Sequence, residues 1–244
     1  MSADPNAMPA SQPRRSFVYR ILQAAGARFA TINGGAVAMD YGRPAGQELA
    51  QAGALGLADL SVLPRTGFKG AGTVDWLVAQ GLEIGADSNK AYRQSGGALA
   101  ARLAPSEVLL LDGLDGTGAA IRRLDQAWAW GSELPRRPIG YPVPRAESHA
   151  WFMVCGRLAP SMFAKICGVD LRLNRFAEGA IAQTSVAKTN DIVIRADLGA
   201  TPAFHVLADS ASAEYLWGCI ADAMEEFGGA VVGLAALREA GRSS

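Results

Sequence analysis

The chain has 244 residues, of which 50% are hydrophobic, and its 23 lysines and arginines equal its 23 aspartates and glutamates in number. An apolar half of a chain this long supports a sizeable core and excludes an intrinsically disordered protein. Binding to nucleic acid or to a membrane surface is not expected, because both need an excess of positive charge. No apolar run approaches the roughly 18 residues that indicate a membrane span.

The N-terminal region is predicted to be a flexible arm over residues 1–16, since it is polar, rich in proline and without the apolar stretch of a signal peptide. Apolar residues at helical spacing then predict a first helix over residues 17–30. Gly34 and Gly35 interrupt this pattern, and a second helix is expected at residues 45–54.

The rest of the chain has the pattern of an internal duplication. Strand, helix, strands and helix occur in the same order in two pseudo-repeats, at about residues 57–131 and 148–230, joined by a stiff Pro-rich linker at 132–147. This order predicts an α+β fold of duplicated strand-helix-strand units, with mostly antiparallel sheets backed by helices. Residues 17–241 are expected to form one domain.

The helices that close the two repeats carry large aromatic side chains. In the helix expected at 118–130, Trp128 and Trp130 are two residues apart and cannot both face the core, so one is predicted to lie at the surface or at a protein contact. The helix expected at 212–227 has its apolar residues on one face and is predicted to pack on a sheet.

A glycine-rich loop, DGLDGTG, precedes the helix expected at 118–130 and contains Gly113, Gly116 and Gly118. Backbone amides at such a helix start bind phosphate in nucleotide-binding proteins. The G-x-x-G-x-G spacing, however, matches neither the dinucleotide fingerprint nor the P-loop, and the equivalent loop of the second repeat, LADSASAEYLW, has no glycine. We predict a strand-to-helix turn without a ligand.

Residues that carry chemistry are few. The cysteines Cys155, Cys167 and Cys219 form an odd, sparse set in apolar surroundings, which is typical of reduced, buried thiols in a cytoplasmic protein. Their spacing relative to His149 and His205 contains no zinc motif, and both histidines lie in strand-like apolar runs. The sequence therefore predicts no catalytic residue and no metal site.

The segment at residues 179–197, GAIAQTSVAKTNDIVIRAD, is predicted to form two β-strands around a polar turn. In AQTSVA small and polar side chains alternate, so that one face packs closely while Gln183, Thr184 and Ser185 form hydrogen bonds. Residues 188–191 are expected to turn the chain, and residues 192–194 to form the buried partner strand.

This segment carries a resemblance to a known family. The runs ICGVDLRLNRFAEGAIAQTSVAKTNDIVIRAD and AFHVLADSASAEYLWGCIADAMEEFGG resemble the gamma subunit of heterotetrameric sarcosine oxidase. More distantly, residues 20–241 are similar to the folate-binding domain of the glycine-cleavage T-protein, on the strength of GARFATINGGAVAMDYG, GLADLSVLPRTGFKGAG and VVGLAALREAG.

The resemblance implies a T-protein folate-binding-domain-like fold and a gamma-like subunit, without activity of its own, of a sarcosine oxidase complex. Such a complex oxidatively demethylates sarcosine to glycine in the cytoplasm. The expected partners are the alpha, beta and delta subunits. The expected cofactors are FAD, FMN, NAD and tetrahydrofolate, all in the other subunits and none bound by this chain.

Two departures from the T-protein pattern bear on folate. Family members that process folate-bound one-carbon units carry an acidic residue shortly after a Gly-Gly pair, whereas Gly96 and Gly97 are followed here by ALAAR. The C-terminal region of the T-protein is also expected to be absent. The resemblance places Glu239 where a carboxylate would hold a pterin ring, which leaves an alternative: a stand-alone folate-binding one-carbon (aminomethyl) transferase.

Overall fold

The computed structural model describes residues 8–44, 46–128 and 140–242. The strands are β1 (Arg28–Ile32), β2 (Gly35–Asp40), β3 (Gly56–Asp59), β4 (Arg65–Lys69), β5 (Lys90–Arg93), β6 (Leu99–Ala104), β7 (Glu107–Leu111), β8 (Tyr141–Pro142), β9 (His149–Cys155), β10 (Ile181–Val186), β11 (Thr189–Arg195), β12 (Ala203–Asp209) and β13 (Ala230–Val231). The α-helices are α1 (Tyr19–Ala24), α2 (Gln47–Leu55), α3 (Thr73–Ala79), α4 (Ala119–Ala127), α5 (Ala159–Ile166), α6 (Ala213–Glu225) and α7 (Leu234–Ala240).

Two sheets carry the fold, and four strands of each have the same order. The first sheet runs β5-β6-β7-β4-β8, and the second runs β10-β11-β12-β9-β3-β13. In each repeat the first strand of the sequence therefore lies beside the last one, and within these sheets only the β3–β13 pair is parallel. The predicted α+β fold with duplicated units and mostly antiparallel sheets is confirmed.

Strand β3 joins the sheet of the opposite repeat. Although it directly precedes the first repeat's strand β4, it pairs antiparallel with β9 of the second repeat, with Leu57 opposite Val154. Of the Pro-rich linker at 132–147, residues 132–139 lie outside the described residues. Its last part adds β8 to the edge of β4, where the Val143 amide donates to the Gly67 carbonyl at 2.7 Å.

The core extends across both repeats. One hydrophobic cluster contains side chains from the two sheets, including Leu99 and Leu109 from the first and Ile194 and Leu207 from the second. Two further clusters lie under the helices. The sheets therefore share buried surface.

Of Trp128 and Trp130, one was predicted to be in the core and the other at the surface, and the structure describes only Trp128. Trp128 is 4% exposed, and its ring centroid lies 4.8 Å from that of Trp76 and 5.3 Å from that of Phe68. Trp130 lies outside the described residues. Trp128 is thus a core residue.

The first predicted helix is too long. Only Tyr19–Ala24 is helical, because Gly26 adopts a left-handed backbone conformation (φ 84°) that ends the helix, and β1 follows. Strands β1 and β2 then form a hairpin across Asn33 and Gly34. In the predicted arm, Arg14 pairs with Gly35 and Ser16 is buried, whereas residues 1–7 lie outside the described residues.

The strand pair predicted in residues 179–197 is present, but its turn is shorter than predicted. The register pairs Val186 with Thr189, so that Ala187 and Lys188 alone form the turn, with φ values of 47° and 67°. Two positive φ values identify a type I′ turn, whose twist matches that of the strands it joins. Of the three polar side chains, Gln183 donates to Asn89 Oδ1 at 2.8 Å and to the Leu103 carbonyl at 2.9 Å.

Candidate functional site

A cleft of about 450 Å³ lies where loops of the two repeats meet the C-terminal helix. The first repeat contributes the Gly96–Gly97 turn and the loop after β7. The second repeat contributes Leu198, and α7 contributes Leu237 and Arg238.

Glycines shape the floor of this inter-repeat cleft. Gly96 and Gly97 both have positive φ, at 77° and 81°. A Cβ atom on Gly113 would collide with the Gly96 carbonyl oxygen, so the two loops pack backbone against backbone. Glycine at position 113, two residues after β7, is therefore needed for the loops to approach, and the G-G pair supplies the positive φ values of the facing turn.

Arginine side chains line the cleft, and two of them form hydrogen bonds to the segments that surround it. Arg93 Nη2 donates to Glu178 Oε1 and to the Asp197 carbonyl, both at 2.6 Å, which ties the first repeat to the second. Arg238 Nε donates to the Leu114 carbonyl at 2.8 Å. Burial lowers the pKa of Arg238, although an arginine stays protonated in a protein.

The glycine-rich loop is held by its own carboxylate. Asp112 Oδ2 accepts a hydrogen bond from the Gly118 amide at 2.6 Å, at the start of α4. Burial raises the pKa of Asp112, and the nearby charge of Asp115 raises it further. A helix start whose amide already binds a carboxylate is a poor phosphate site, which agrees with the predicted structural turn.

The structure places a carboxylate in the cleft that the sequence patterns did not reveal. Ala98 follows Gly97 and is buried just before β6, so the Gly-Gly turn itself brings no acid into the cleft. Asp115 lines the cleft from the neighbouring loop, and its Oδ1 accepts from the Thr117 amide at 3.2 Å. Asp115 and Gly97 meet at the cleft because β6 pairs with β7. The sequence around either residue does not indicate this contact.

Glu239, the residue with a possible folate role, is exposed on α7. Its neighbour Arg238 lines the cleft, whereas Glu239 is not among the lining residues. In this conformation α7 presents an arginine to the inter-repeat cleft, and the folate role of Glu239 stays a prediction.

The two histidines occupy non-catalytic surroundings. His205 is buried, its Nδ1 accepts from Trp151 Nε1 at 2.9 Å, and burial lowers its pKa to about 3. His149 Nδ1 lies 2.9 Å from Ser148 Oγ, but its Nε2 faces Arg145 Nη1 at 3.0 Å, and burial lowers its pKa to about 4. A cation where a triad would place a carboxylate weakens the histidine as a base.

The cysteines are free thiols, and they do not share one environment. Cys155 is buried, and burial raises its pKa to about 12, so it is inert. Cys167 and Cys219 are only half-buried, contrary to the prediction of core positions, because both line a second, open cleft on the second repeat.

Among residues 8–44, 46–128 and 140–242, no three or more histidine, cysteine, aspartate or glutamate side chains cluster as metal ligands would. No helix in the same part of the chain is both long and apolar enough to cross a membrane.

The chain matches known proteins by its structure, and not by its sequence. No family model and no curated protein matches the sequence. A chain of heterotetrameric sarcosine oxidase from Corynebacterium sp. U-96, solved in complex with pyrrole 2-carboxylate, matches with a TM-score of 0.61 and 20% identity, over 91% of this chain and 100% of that chain. Aminomethyltransferase T of the glycine cleavage system from Bartonella henselae matches with a TM-score of 0.69 and 17% identity.

The second match covers 93% of this chain but only 62% of the aminomethyltransferase. Together the two matches establish the fold. The predicted resemblance to sarcosine oxidase and to the T-protein is confirmed as a likeness of fold.

Proposed function

We propose that the chain is a gamma-like, non-catalytic subunit of a heterotetrameric sarcosine oxidase complex. The observation that carries the proposal is the structural match to a chain of heterotetrameric sarcosine oxidase, which covers 91% of this chain and the whole of that chain. A fold shared with one chain of such an assembly supports a role within an assembly of this kind.

The chemistry of the inter-repeat cleft supports a structural role. The Gly96–Gly97 turn brings no acid, Glu239 is exposed, and Arg93 and Arg238 hold loops in place. In the proposed complex, sarcosine is oxidatively demethylated to glycine in the cytoplasm. FAD, FMN, NAD and tetrahydrofolate belong to the alpha, beta and delta subunits.

Co-expression tests the proposal directly. The chain and the alpha, beta and delta sarcosine oxidase subunits of the same organism are expressed together, and the tagged alpha subunit is purified. We expect one stable complex that contains this chain. The purified chain alone should show neither flavin absorbance nor sarcosine turnover, and either signal, or elution apart from the other subunits, contradicts the proposal.

A second candidate is a stand-alone folate-binding one-carbon transferase. It is favoured by Asp115, which brings a carboxylate to a cleft large enough for part of a pterin. Titration calorimetry of the isolated chain with tetrahydrofolate distinguishes the candidates, since micromolar binding supports this one. Asp115→Asn should weaken such binding, and Glu239→Ala tests the role that the resemblance gives to Glu239.

A further inference from the structure

The inter-repeat cleft contains four charged side chains, and only one of them has a counter-ion within the chain. The charge of Arg93 is neutralised, since its Nη2 donates to Glu178 Oε1 at 2.6 Å. None of the ion pairs among the described residues includes Arg238, Arg242 or Asp115. The cleft therefore has two guanidiniums and one carboxylate that the described part of the chain leaves without a counter-ion.

The two guanidiniums form a like-charged pair at one end of α7. Arg238 lies on the helix and Arg242 just beyond its end, four residues further on, and both line the cleft. Like charges at this spacing destabilise a helix, and a bound anion removes the repulsion. Burial lowers the pKa of Arg238, the charge of Asp115 raises it, and the charge of Arg242 lowers it again. The three groups therefore act on one another within the cleft.

Arg238 is held by hydrogen bonds that leave part of its guanidinium unused. Its Nε donates to the Leu114 carbonyl at 2.8 Å, and its Nη2 donates to the Asp115 carbonyl at 3.1 Å. Its Nη1 donates to no group among the described residues. Because two nitrogens are fixed and the guanidinium is planar, Nη1 is held in one position. A guanidinium fixed in this way binds a carboxylate at a low cost in conformational entropy.

Asp115 brings the opposite charge to the same cleft. Its Oδ1 accepts from the Thr117 amide at 3.2 Å, whereas its Oδ2 accepts from none of the described residues, and the side chain is exposed. An unpaired carboxylate beside two unpaired guanidiniums disfavours a ligand with several negative charges, such as a phosphate ester. It favours a small ligand that carries charges of both signs.

Apolar side chains complete the lining of the cleft. Leu114, Leu198 and Leu237 come from three different segments of the chain. The volume of about 450 Å³ is within the range of small-molecule sites, which combine apolar walls with a few polar groups that fix the orientation of the ligand. A ligand that matches this lining has an apolar part next to its two charges.

We propose that the inter-repeat cleft binds a free amino acid with an apolar side chain. The ligand carboxylate lies between the guanidiniums of Arg238 and Arg242, the ammonium meets the Asp115 carboxylate, and the side chain packs on the leucines. No bond is made or broken, so this is a binding site without chemistry of its own. The inference goes beyond the proposed subunit role and does not depend on it, because this chain supplies every residue of the site.

Titration calorimetry of the purified full chain at neutral pH with three related probes tests the class of ligand. L-leucine carries both charges, N-acetyl-L-leucine keeps only the carboxylate, and L-leucinamide keeps only the ammonium. We expect saturable binding of L-leucine, binding of N-acetyl-L-leucine that is weaker by about tenfold or more, and no detectable binding of L-leucinamide. Equal binding of L-leucine and N-acetyl-L-leucine, which resembles the C-terminus of a peptide, overturns a free amino acid as the ligand. Absence of L-leucine binding overturns the site.

Substitutions in the cleft test the role of each charge. Arg242→Gln should weaken L-leucine binding by about tenfold or more, and Asp115→Asn should weaken binding of L-leucine but not of N-acetyl-L-leucine, which has no ammonium. Arg20→Gln is the matched control, because Arg20 is an exposed arginine on α1 that does not line the cleft, and it should bind like the wild type. Wild-type affinity in both cleft variants overturns the site, whereas the proposed function is decided by co-expression alone.

Discussion

At the scale of single residues, Arg65 connects the two repeats through backbone carbonyls. It is 3% exposed, and its guanidinium donates to the carbonyls of Ser61, Leu63, Arg145, Ala146 and His149. Burial lowers its pKa to about 10, so the group remains charged at neutral pH. Every N–H of the Arg65 guanidinium is directed at a carbonyl, and no other type of side chain has five N–H donors.

Arg65→Met should lower the free energy of unfolding by about 3–5 kcal/mol, because it leaves several buried carbonyls without a donor. Arg65→Lys should recover only part of this loss, since an ammonium cannot reach both sides of the junction. Urea denaturation followed by circular dichroism gives the values. Arg172→Met, which removes an exposed ion pair to Asp170, should leave stability nearly unchanged, and an equal effect of the two methionine variants contradicts the assignment.

Asp191 is a second residue whose burial has a measurable consequence. It is 4% exposed; its Oδ2 accepts from Thr189 Oγ1 at 2.7 Å, while its Oδ1 accepts no hydrogen bond from the described residues. Burial raises its pKa from 3.8 to about 6. The folded state therefore binds a proton that the unfolded state has already released between these two pH values.

Because the folded pKa lies above the unfolded one, the free energy of unfolding should fall as pH rises from about 4 to about 6, by about 1–3 kcal/mol from this group. Asp191→Asn should flatten that part of the stability profile, measured by urea denaturation at several pH values. Asp170→Asn serves as the control, since its ion pair with Arg172 lowers the pKa of Asp170 to about 2 and so removes it from this range. A slope unchanged by Asp191→Asn would show that another group titrates.

At the scale of elements, the two short hairpins show what a sequence pattern can and cannot predict. Asn33 and Gly34 form a two-residue turn with φ values of 49° and 72°, and Asn-Gly is the pair that such a turn favours. The sequence contains this turn signal, although the helical spacing upstream predicts a longer first helix. Ala187 and Lys188 adopt the same geometry without any turn residue, so composition could not place that turn.

Replacing Ala187 and Lys188 by Asn and Gly should therefore raise the free energy of unfolding by about 1–2 kcal/mol, because left-handed backbone conformations are unfavourable for alanine and lysine. Thermal and urea denaturation measure the change. The reverse exchange at the first hairpin, Asn33→Ala with Gly34→Lys, should destabilise. No gain in stability at residues 187–188 would show that the strands alone set the turn.

The longer helices were easier to predict than the strand partners. Helix α6 follows its apolar periodicity closely, since Leu216, Ile220 and Ala223 are buried on one face. By contrast, β3 pairs with β9, almost a hundred residues away in sequence by the register of Leu57 with Val154, and no local pattern specifies such a partner. The carboxylate that Asp115 brings to the inter-repeat cleft was missed for the same reason, as the site depends on which loops meet.

At the scale of the whole molecule, the shared core makes the repeats interdependent. Leu109 of β7 and Leu207 of β12 belong to one buried cluster, and β3 extends the sheet of the second repeat with residues from the start of the first. Neither sheet keeps its buried face covered if the other unfolds. Exposing that apolar surface is unfavourable at about 25 cal/mol per Å², so partial unfolding gains little over complete unfolding.

Native-state hydrogen exchange, followed by mass spectrometry at increasing urea concentrations, should therefore give the same opening free energy for amides of β7 in the first sheet and β12 in the second. Both should merge with global unfolding, since these strands can be exposed only together. The exposed edge strand β8 is the internal comparison and should open at lower free energy, because among the described residues only Tyr141, Pro142 and the Val143 amide hold this edge to β4. Protection of β12 that persists after β7 has exchanged would instead mark the second repeat as an independent folding unit.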